Sequence, residues 1–127
     1  MQSLLLVEDD SDIRESLASL LREEGYSVYE AADPTTGLAT LRSLRPDLVL
    51  LDYGLPLPED GEGFLRAKAA DSGIGEIPVI LITGYALPSE KDGTVAVLRK
   101  PFDFDQLAAL IQEILGPPQK PRKGAVA

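Results

Sequence analysis

Four short apolar runs divide this chain, and each of them ends at a polar residue that suits a phosphate group or a divalent cation. The runs cover residues 3–7, 47–51, 78–82 and 95–99. Segments with helical periodicity separate them, an alternation that is typical of βα repeats around a parallel sheet. Because all strands of a parallel sheet end at one edge, where ligands bind, the polar residues that follow the runs are expected to meet there.

The polar residues at the strand ends form an ordered set. They are Glu8, Asp9 and Asp10 after the first run, Asp52 after the second, Thr83 after the third, and Lys100, which precedes Pro101, after the fourth. Each of them alone is ordinary, because acidic residues after a strand often cap a helix or a turn and a lysine often serves as a salt-bridge partner. The set as a whole predicts one pocket that contains carboxylates, a hydroxyl group and an ammonium group.

The residue types that are missing exclude several kinds of chemistry. The chain has 127 residues, a length that suits one domain with a single core, and it contains neither Cys nor His. Disulfides, thiolate catalysis, Ser–His catalysis and metal sites built from Cys or His are therefore excluded. A phosphoryl group has to reach this chain from another molecule, and any bound metal should be a hard ion that prefers oxygen ligands.

The net charge of −9 argues against a nucleic acid or an anionic membrane surface as a direct partner. No apolar run approaches the ~20 residues that span a bilayer. The first residues also lack the basic segment that begins a signal peptide. We therefore expect a cytoplasmic protein that binds neither nucleic acid nor membranes directly.

Capping residues and helical periodicity predict a first helix over about residues 11–24, with Ser11 or Asp12 as its N-cap and Gly25 at its end. Apolar residues recur on one side of this helix at the spacing expected for a face that packs on a sheet. They are Ile13, Leu17, Leu20 and Leu21.

The same signals predict the remaining elements. A second strand is expected at residues 27–31, and Asp33 should cap a helix with Pro34 at its first position. The apolar residues of that helix are Leu38, Leu41 and Leu44. A weaker helix is expected over about residues 61–72, and a strongly amphipathic one over about residues 104–115.

Two segments are expected to be irregular. Residues 85–94, between the fourth and fifth strands, have almost no apolar face, so a full helix is not expected there. Residues 117–127 are rich in proline and carry basic but no acidic residues, a composition typical of a flexible tail or a linker. The sequence thus predicts one folded domain over residues 1–116 and a tail over residues 117–127.

Four stretches of the sequence resemble the receiver domain of two-component response regulators. They are LLLVEDDSDIRE, PDLVLLDYGLP, PVILITGYA and VLRKPFDFDQL, and together the match covers residues 3–115. The resemblance implies an α/β, flavodoxin-like fold, with a doubly wound five-stranded parallel sheet of strand order 2-1-3-4-5. It also implies a signalling switch that accepts a phosphoryl group from a histidine kinase or a histidine phosphotransfer protein. Such a switch catalyses only its own phosphorylation and dephosphorylation and is not an enzyme for an external substrate.

The resemblance assigns the residues that would handle the phosphoryl group. Asp52 matches the phosphoacceptor, which attacks as a carboxylate nucleophile. Thr83 matches the residue whose hydroxyl binds a phosphoryl oxygen, and Lys100 matches the lysine that pairs with the phosphoryl group. The bond between Lys100 and Pro101 is expected to be cis, as in the family.

The resemblance also implies a metal site. Glu8 and Asp9 match the metal-binding acidic pair, with Asp52 and the main-chain carbonyl of Gly54 as further ligands. Asp10 then falls one place late and is expected in a loop or cap, unless the register is wrong by one. Carboxylates ~4 Å apart repel by about 4 kcal/mol per pair, so the site needs a cation. Mg²⁺ is expected, with Mn²⁺ as an alternative.

Departures from the family pattern concern the switch. Only sixteen residues separate Thr83 from Lys100, which implies that the fourth helix of the family is short or absent, as in a group of single-domain receivers. Val97 stands where the family has its switch aromatic, and Tyr85 is expected either to replace that aromatic or to cover the pocket. The expected switch residues are Thr83, Tyr85 and Val97. The family often forms homodimers through its fourth helix. Because that helix is expected to be short or absent, both a monomer and a homodimer fit this sequence.

Two other functions compete with this interpretation. A Mg²⁺-dependent phosphatase of small molecules would also use an aspartate nucleophile at a strand end, but such enzymes usually carry a second aspartate at the place of Gly54 and need a cap domain. A degenerate receiver that acts only as a scaffold would lack an acid, the threonine or the lysine, and none is missing. Both a stand-alone regulator and a part of a longer regulator or hybrid kinase fit the sequence.

Overall fold

The computed structural model describes residues 2–53, 58–84 and 94–117. The predicted metal ligand Gly54, the predicted switch residue Tyr85 and the tail from residue 118 onward lie outside the described residues. The domain boundary at residue 116 therefore stays a prediction, as does the shortened or absent fourth helix of the family.

Strands and helices alternate along the described residues. The strands are β1 (Ser3–Val7), β2 (Ser27–Ala31), β3 (Leu48–Asp52), β4 (Val79–Thr83) and β5 (Thr94–Arg99). The helices are α1 (Ser11–Glu23), α2 (Pro34–Leu44), α3 (Pro58–Ala70) and α4 (Phe104–Leu115). Helix α3 begins at Pro58 rather than at about residue 61, because proline suits the first position of a helix, where no N–H is needed. Among the described helices, none combines the length and apolarity that crossing a bilayer requires.

The five strands form one parallel sheet in the order β2-β1-β3-β4-β5. This arrangement confirms the predicted fold class and strand order. The strands end nearly level, since Val7 of β1 pairs with Leu51 of β3, and Asp52 pairs with Ile82 of β4. The carboxyl ends of three neighbouring strands therefore lie side by side at one edge of the sheet.

Side chains pack on both faces of the sheet, because successive residues of a strand point to opposite sides. On one face, Leu41 of α2 and Phe64 of α3 join Leu5 and Val7 of β1 in a buried cluster. On the other face, a second cluster contains residues of α1, α4 and the alternate positions of β1; among them are Leu4, Leu6, Ala18, Leu21, Leu107 and Ile111. Cover on both faces explains why the strands appear in the sequence as continuous apolar runs.

The apolar residues of α1 form two neighbouring stripes, which corrects the predicted apolar face. Ala18 and Leu21 are buried against the sheet, and Leu17 packs at the margin of the same cluster. Ile13 and Leu20, which were expected to face the core, are 49% and 42% exposed. The two stripes lie next to each other around the helix. The helical periodicity of the sequence therefore assigns both of them to one apolar face.

The N-cap of α1 is Asp10, and the prediction of Ser11 or Asp12 was wrong. The Asp10 carboxylate accepts hydrogen bonds from the N–H groups of Asp12 and Ile13, at 3.0 and 3.1 Å. Because β1 ends at Val7, two residues are enough for the turn, and the helix begins at Ser11.

Helix α2 starts as predicted but faces the core with fewer residues than expected. Its N-cap is Asp33, whose carboxylate accepts a hydrogen bond from the Thr36 N–H at 2.8 Å, and Pro34 occupies the first helical position. Leu41 is fully buried, whereas Leu44 is 51% exposed. The last turn of α2 therefore extends beyond the region where the helix contacts the sheet.

Two glycines of α3 provide a matched test of how this helix packs. A methyl group added at Gly61 would lie 2.9 Å from the buried ring of Tyr53, whereas one added at Gly63 would meet nothing within 4 Å. We expect Gly61→Ala to lower the free energy of unfolding by about 1–2 kcal/mol through overpacking. Gly63→Ala should raise it by about 0.5–1 kcal/mol, because alanine is the better helix former.

Urea unfolding followed by circular dichroism measures both effects. The difference in sign between the two substitutions is the decisive result, because both change glycine to alanine within one helix. Equal stabilisation by both would contradict the contact between Gly61 and Tyr53.

Candidate functional site

Most of the polar residues predicted to meet at the carboxyl edge lie there, whereas the Asp10 carboxylate caps α1 instead. Glu8 follows the end of β1, Asp52 is the last residue of β3, and Thr83 is the last residue of β4. Lys100 follows β5, and its N–H donates a hydrogen bond to the Thr83 carbonyl oxygen at 2.8 Å. Because these strands are neighbours in the sheet, Glu8, Asp52 and Lys100 line one cleft although they are far apart in sequence.

Glu8, Asp9 and Asp52 form an acidic cluster in this cleft. Each of them has a carboxylate oxygen that lies within 4.8 Å of the corresponding oxygens of the other two. Glu8 and Asp52 are buried, whereas Asp9 is exposed at the mouth of the cleft. Asp10 is not part of the cluster, because its carboxylate caps α1. Three hard oxygen donors in such a cluster could hold a cation such as Mg²⁺.

Burial raises the pKa of Glu8 from its ordinary value of 4.5 to about 8, with a further rise from its hydrogen bond to Asp52. The N–H of Asp10 donates to Glu8 Oε2 at 3.1 Å and opposes this shift. In the absence of a cation, Glu8 therefore holds a proton over much of the neutral range. The raised pKa means that bringing these carboxylates together has an electrostatic cost, which a divalent cation would offset.

Lys100 supplies a positive charge beside Asp52. Its Nζ donates to Asp52 Oδ1 at 3.2 Å, and the two groups form an ion pair. Lys100 is exposed, so its flexible side chain can follow a ligand that enters the cleft. The peptide bond between Lys100 and Pro101 is cis, as predicted.

The residues predicted to act as a switch are only partly described. Thr83 is fully buried at the end of β4. Val97 pairs with Leu81 across the β4–β5 ladder and packs against the cluster on the α2 and α3 face of the sheet. Val97 is thus a partly buried residue that packs against the core, and its part in the switch stays a prediction.

Tyr53, which directly follows Asp52, supports the end of β3 and was not singled out by the sequence analysis. Tyr53 is buried, its N–H donates to the Ile82 carbonyl oxygen at 2.8 Å, and its hydroxyl donates to Glu62 Oε1 at 2.9 Å. Burial and then the Glu62 carboxylate raise the pKa of Tyr53 to about 12. The hydroxyl therefore stays protonated and ties the end of β3 to α3. No local sequence pattern predicts the contact between Tyr53 and Glu62, because Glu62 lies in the following helix, α3.

An apolar groove runs from the cleft along α1. A cavity of about 310 Å³ lies beside Asp52 and Lys100 and is lined mainly by apolar side chains. A second cavity, of about 350 Å³, continues along the helix past Leu20. The residues Ile13, Leu17, Leu20 and Phe102 line this stretch and are called the α1 groove below. Ile13 and Leu20, the second apolar stripe of α1, therefore line this groove instead of packing in the core.

The fold and the cleft together define a flavodoxin-like α/β protein with an acidic pocket at the carboxyl edge of its sheet. Comparison with known proteins identifies its family. Residues 4–112 match the family model for the response regulator receiver domain. The chain therefore belongs to the response regulator receiver domain family, and it is a phosphoacceptor switch domain of two-component signalling.

Individual relatives agree with this assignment. Protein Rrf1 of Nitratidesulfovibrio vulgaris is 34% identical over 113 residues, which cover 88% of this chain and 81% of Rrf1. The DNA-binding response regulator MtrA of Mycobacterium tuberculosis is 34% identical over 116 residues, and the match spans 87% of this chain but only 49% of MtrA.

Among solved structures, the receiver domain of the sensor histidine kinase PA1611 from Pseudomonas aeruginosa is similar at 30% identity and a TM-score of 0.80. The similarity covers 91% of this chain and 98% of that one, and that structure has a magnesium ion coordinated in its active site cleft. This family relationship disfavours the alternative of a phosphatase that acts on small molecules.

Replacement of Glu8 tests the electrostatic cost of the cluster. The pKa of Glu8 is higher in the folded state than in the unfolded state. At about pH 4 the carboxyl group is mostly protonated in both states, so it costs no stability. The cost grows as the pH rises to about 8. In EDTA at about pH 8, we expect Glu8→Gln to raise the free energy of unfolding by about 1–3 kcal/mol, and near pH 4 to change it little.

Asp10→Asn is the matched control, because asparagine caps a helix as well as aspartate does and Asp10 lies outside the cluster. Its effect should stay below about 0.5 kcal/mol at either pH. Urea titrations at the two pH values measure both variants. A Glu8→Gln protein that is no more stable than the wild type at the higher pH would show that the buried Glu8 carboxyl group has no such electrostatic cost.

Proposed function

We propose that Asp52 is the phosphoacceptor and that it receives a phosphoryl group from a phosphohistidine of a histidine kinase or a phosphotransfer protein. The observation that carries the proposal is the surroundings of the Asp52 side chain. It is buried at the end of β3, lies within 4.8 Å of two other carboxylates, and accepts a hydrogen bond from Lys100 Nζ at 3.2 Å. A lone aspartate in a turn would have no such set of neighbours.

Glu8, Asp9 and Asp52 are the proposed ligands of Mg²⁺. Their donor set consists of oxygen atoms only, which is what Mg²⁺ prefers, and their spacing brings three carboxylates to one ion. When bound, the ion would offset negative charge on the phosphoryl oxygens during transfer. The magnesium ion in the PA1611 receiver supports this choice, and nothing favours the Mn²⁺ alternative. The Gly54 carbonyl remains an expected further ligand outside the described residues.

The transfer itself needs only a nucleophile and charge compensation from this chain. A carboxylate oxygen of Asp52 forms the new bond to phosphorus, and the bond between phosphorus and the histidine nitrogen breaks, with the electron pair leaving on that nitrogen. Lys100 compensates the Asp52 charge beforehand and pairs with a phosphoryl oxygen afterwards. The proposed role of Thr83 is to donate its hydroxyl hydrogen to another phosphoryl oxygen.

The proposed response to phosphorylation begins at Thr83, which is buried next to Lys100. Val97 has no ring that could swing toward Thr83, so the response is not transmitted at that position. Tyr85 as a replacement aromatic belongs to the same proposal and lies outside the described residues. We place the domain in the cytoplasm, with no direct contact with nucleic acid, and attribute to it no turnover of external substrates.

Incubation with acetyl phosphate and Mg²⁺ tests the phosphoacceptor directly. Mass spectrometry of the intact protein should show one added phosphate, and hydroxylamine should remove it, because an acyl phosphate is labile to that reagent. Asp52→Asn should take up no phosphate, whereas Asp10→Asn should be labelled like the wild type. Asp9→Ala should need more Mg²⁺ for the same labelling. Full labelling of Asp52→Asn would refute the assignment.

The α1 groove is the proposed docking surface for the histidine partner. It begins beside Asp52 and Lys100, and its apolar residues Ile13 and Leu20 are about half exposed. A partner helix that packs its apolar face there would bring a histidine next to the cleft, since amphipathic helices commonly bind in apolar grooves. The family also commonly meets its histidine partners at the first helix.

Two leucines of similar exposure, Leu20 at 42% and Leu44 at 51%, test this docking surface. Leu20→Ser alters the α1 groove, whereas Leu44→Ser alters the last turn of α2, away from the groove. With a phosphorylated histidine kinase that labels the wild type, we expect Leu20→Ser to lower the rate of transfer by about fivefold to tenfold. Leu44→Ser should leave the rate unchanged, and both variants should accept phosphate from acetyl phosphate normally. Equal transfer to Leu20→Ser and wild type would exclude the groove.

A further inference from the structure

Arg14 makes a contact with the acidic cluster that its position in the sequence does not reveal. It lies in the first turn of α1, and its side chain is largely buried. Its Nη1 donates a hydrogen bond of 2.8 Å to the main-chain carbonyl oxygen of Glu8. Hydrogen bonds from a charged donor are stronger than those between neutral groups, so this contact is a substantial constraint on the turn after β1.

The carbonyl that Arg14 binds belongs to the peptide unit that joins Glu8 to Asp9. The same residue is held at its other end, because the Glu8 N–H donates to the Ala31 carbonyl oxygen at 3.0 Å. With both backbone groups of Glu8 engaged, the plane of the following peptide is fixed. The directions in which the Glu8 and Asp9 side chains leave the backbone depend on that plane.

Arg14 is itself held in place from the sheet. Its Nε lies 3.5 Å from Glu30 Oε1 of β2, and the other oxygen of Glu30 lies 3.1 Å from Arg22 Nη2. Arg22 also donates to the Val28 carbonyl oxygen at 2.7 Å. Two arginines of α1 thus share Glu30, and Arg14 also contacts the acidic turn.

We propose that Arg14 is a positioning residue for the metal-binding acidic pair. It acts through the main chain of Glu8 and keeps the peptide between Glu8 and Asp9 in the orientation that directs both carboxylates toward Asp52, while its own charge is paired with Glu30. The inference rests on the proposed Mg²⁺ site, and it concerns the affinity of that site rather than the chemistry of transfer. Lys100, by contrast, contacts the phosphoacceptor itself.

The test compares two arginines that share one partner. Arg14→Met removes the bond to the Glu8 carbonyl together with the ion pair to Glu30. Arg22→Met removes the bond to the Val28 carbonyl together with its ion pair to Glu30, and leaves the acidic turn untouched. We expect Arg14→Met to weaken Mg²⁺ binding, measured by isothermal titration calorimetry, by about tenfold, because outer partners of metal ligands commonly contribute that much. Arg22→Met should stay within about twofold of the wild type.

A second measurement does not need the metal. Hydrogen exchange of the Glu8 amide, followed by NMR in EDTA, reports how firmly the turn is held at the Ala31 carbonyl. Exchange should be several-fold faster in Arg14→Met and unchanged in Arg22→Met. Arg14→Lys keeps the charge but has a single donor group in place of the guanidinium fork, so it should fall between wild type and Arg14→Met in both measurements. It also serves as the test variant if Arg14→Met does not fold.

The outcomes separate this inference from the proposed function. If the wild type binds Mg²⁺ and the Arg14 variants bind it equally well, or if Arg22→Met loses as much affinity, Arg14 has no positioning role. If the wild type binds no Mg²⁺, the proposed metal site fails, and the exchange measurement alone decides whether Arg14 orders the acidic turn. Unchanged exchange of the Glu8 amide in the Arg14 variants would then overturn the inference.

Discussion

The cost of burying a carboxylate next to other carboxylates at one edge of a parallel sheet is the constraint on which this molecule depends. The sheet order brings Glu8 and Asp52 together in a buried cleft with Asp9 at its mouth, and burial raises the pKa of Glu8 to about 8. The burial of apolar side chains in the two core clusters offsets this cost. Stability and function are therefore opposed at this edge, as is common where charged groups are gathered for binding.

The sequence predicted the sheet well because a strand that is covered on both faces has to be apolar throughout, and such runs are easy to see. It predicted helix positions well and helix rotations poorly. A helix with two adjacent apolar stripes does not reveal which stripe faces the sheet, and so Ile13 and Leu20 were assigned to the core although they line the α1 groove. The cap of α1 was misplaced by one or two residues, because several acidic and hydroxyl residues in a row could each serve.

Strand ends are the part of a site that sequence predicts best, because the sheet topology alone determines where they lie. Contacts between side chains of different elements are harder, since they require the rotation of each helix. The bonds of Arg14 to the Glu8 carbonyl and of Tyr53 to Glu62 belong to that kind. The same holds for Lys68, a fully buried lysine of α3 whose Nζ donates to the Gly75 carbonyl oxygen at 2.8 Å. In the sequence it looks like an ordinary polar residue on the outside of a helix.

A crystal structure of the protein with Mg²⁺ and beryllofluoride would test the central claim most directly, because beryllofluoride forms a stable mimic of an acyl phosphate on an aspartate. Our account predicts one Mg²⁺ ion bound by Glu8, Asp9 and Asp52, with the beryllium attached to a carboxylate oxygen of Asp52 and Lys100 Nζ in contact with a fluorine atom. A metal ion bound elsewhere, or beryllofluoride attached to a residue other than Asp52, would contradict it.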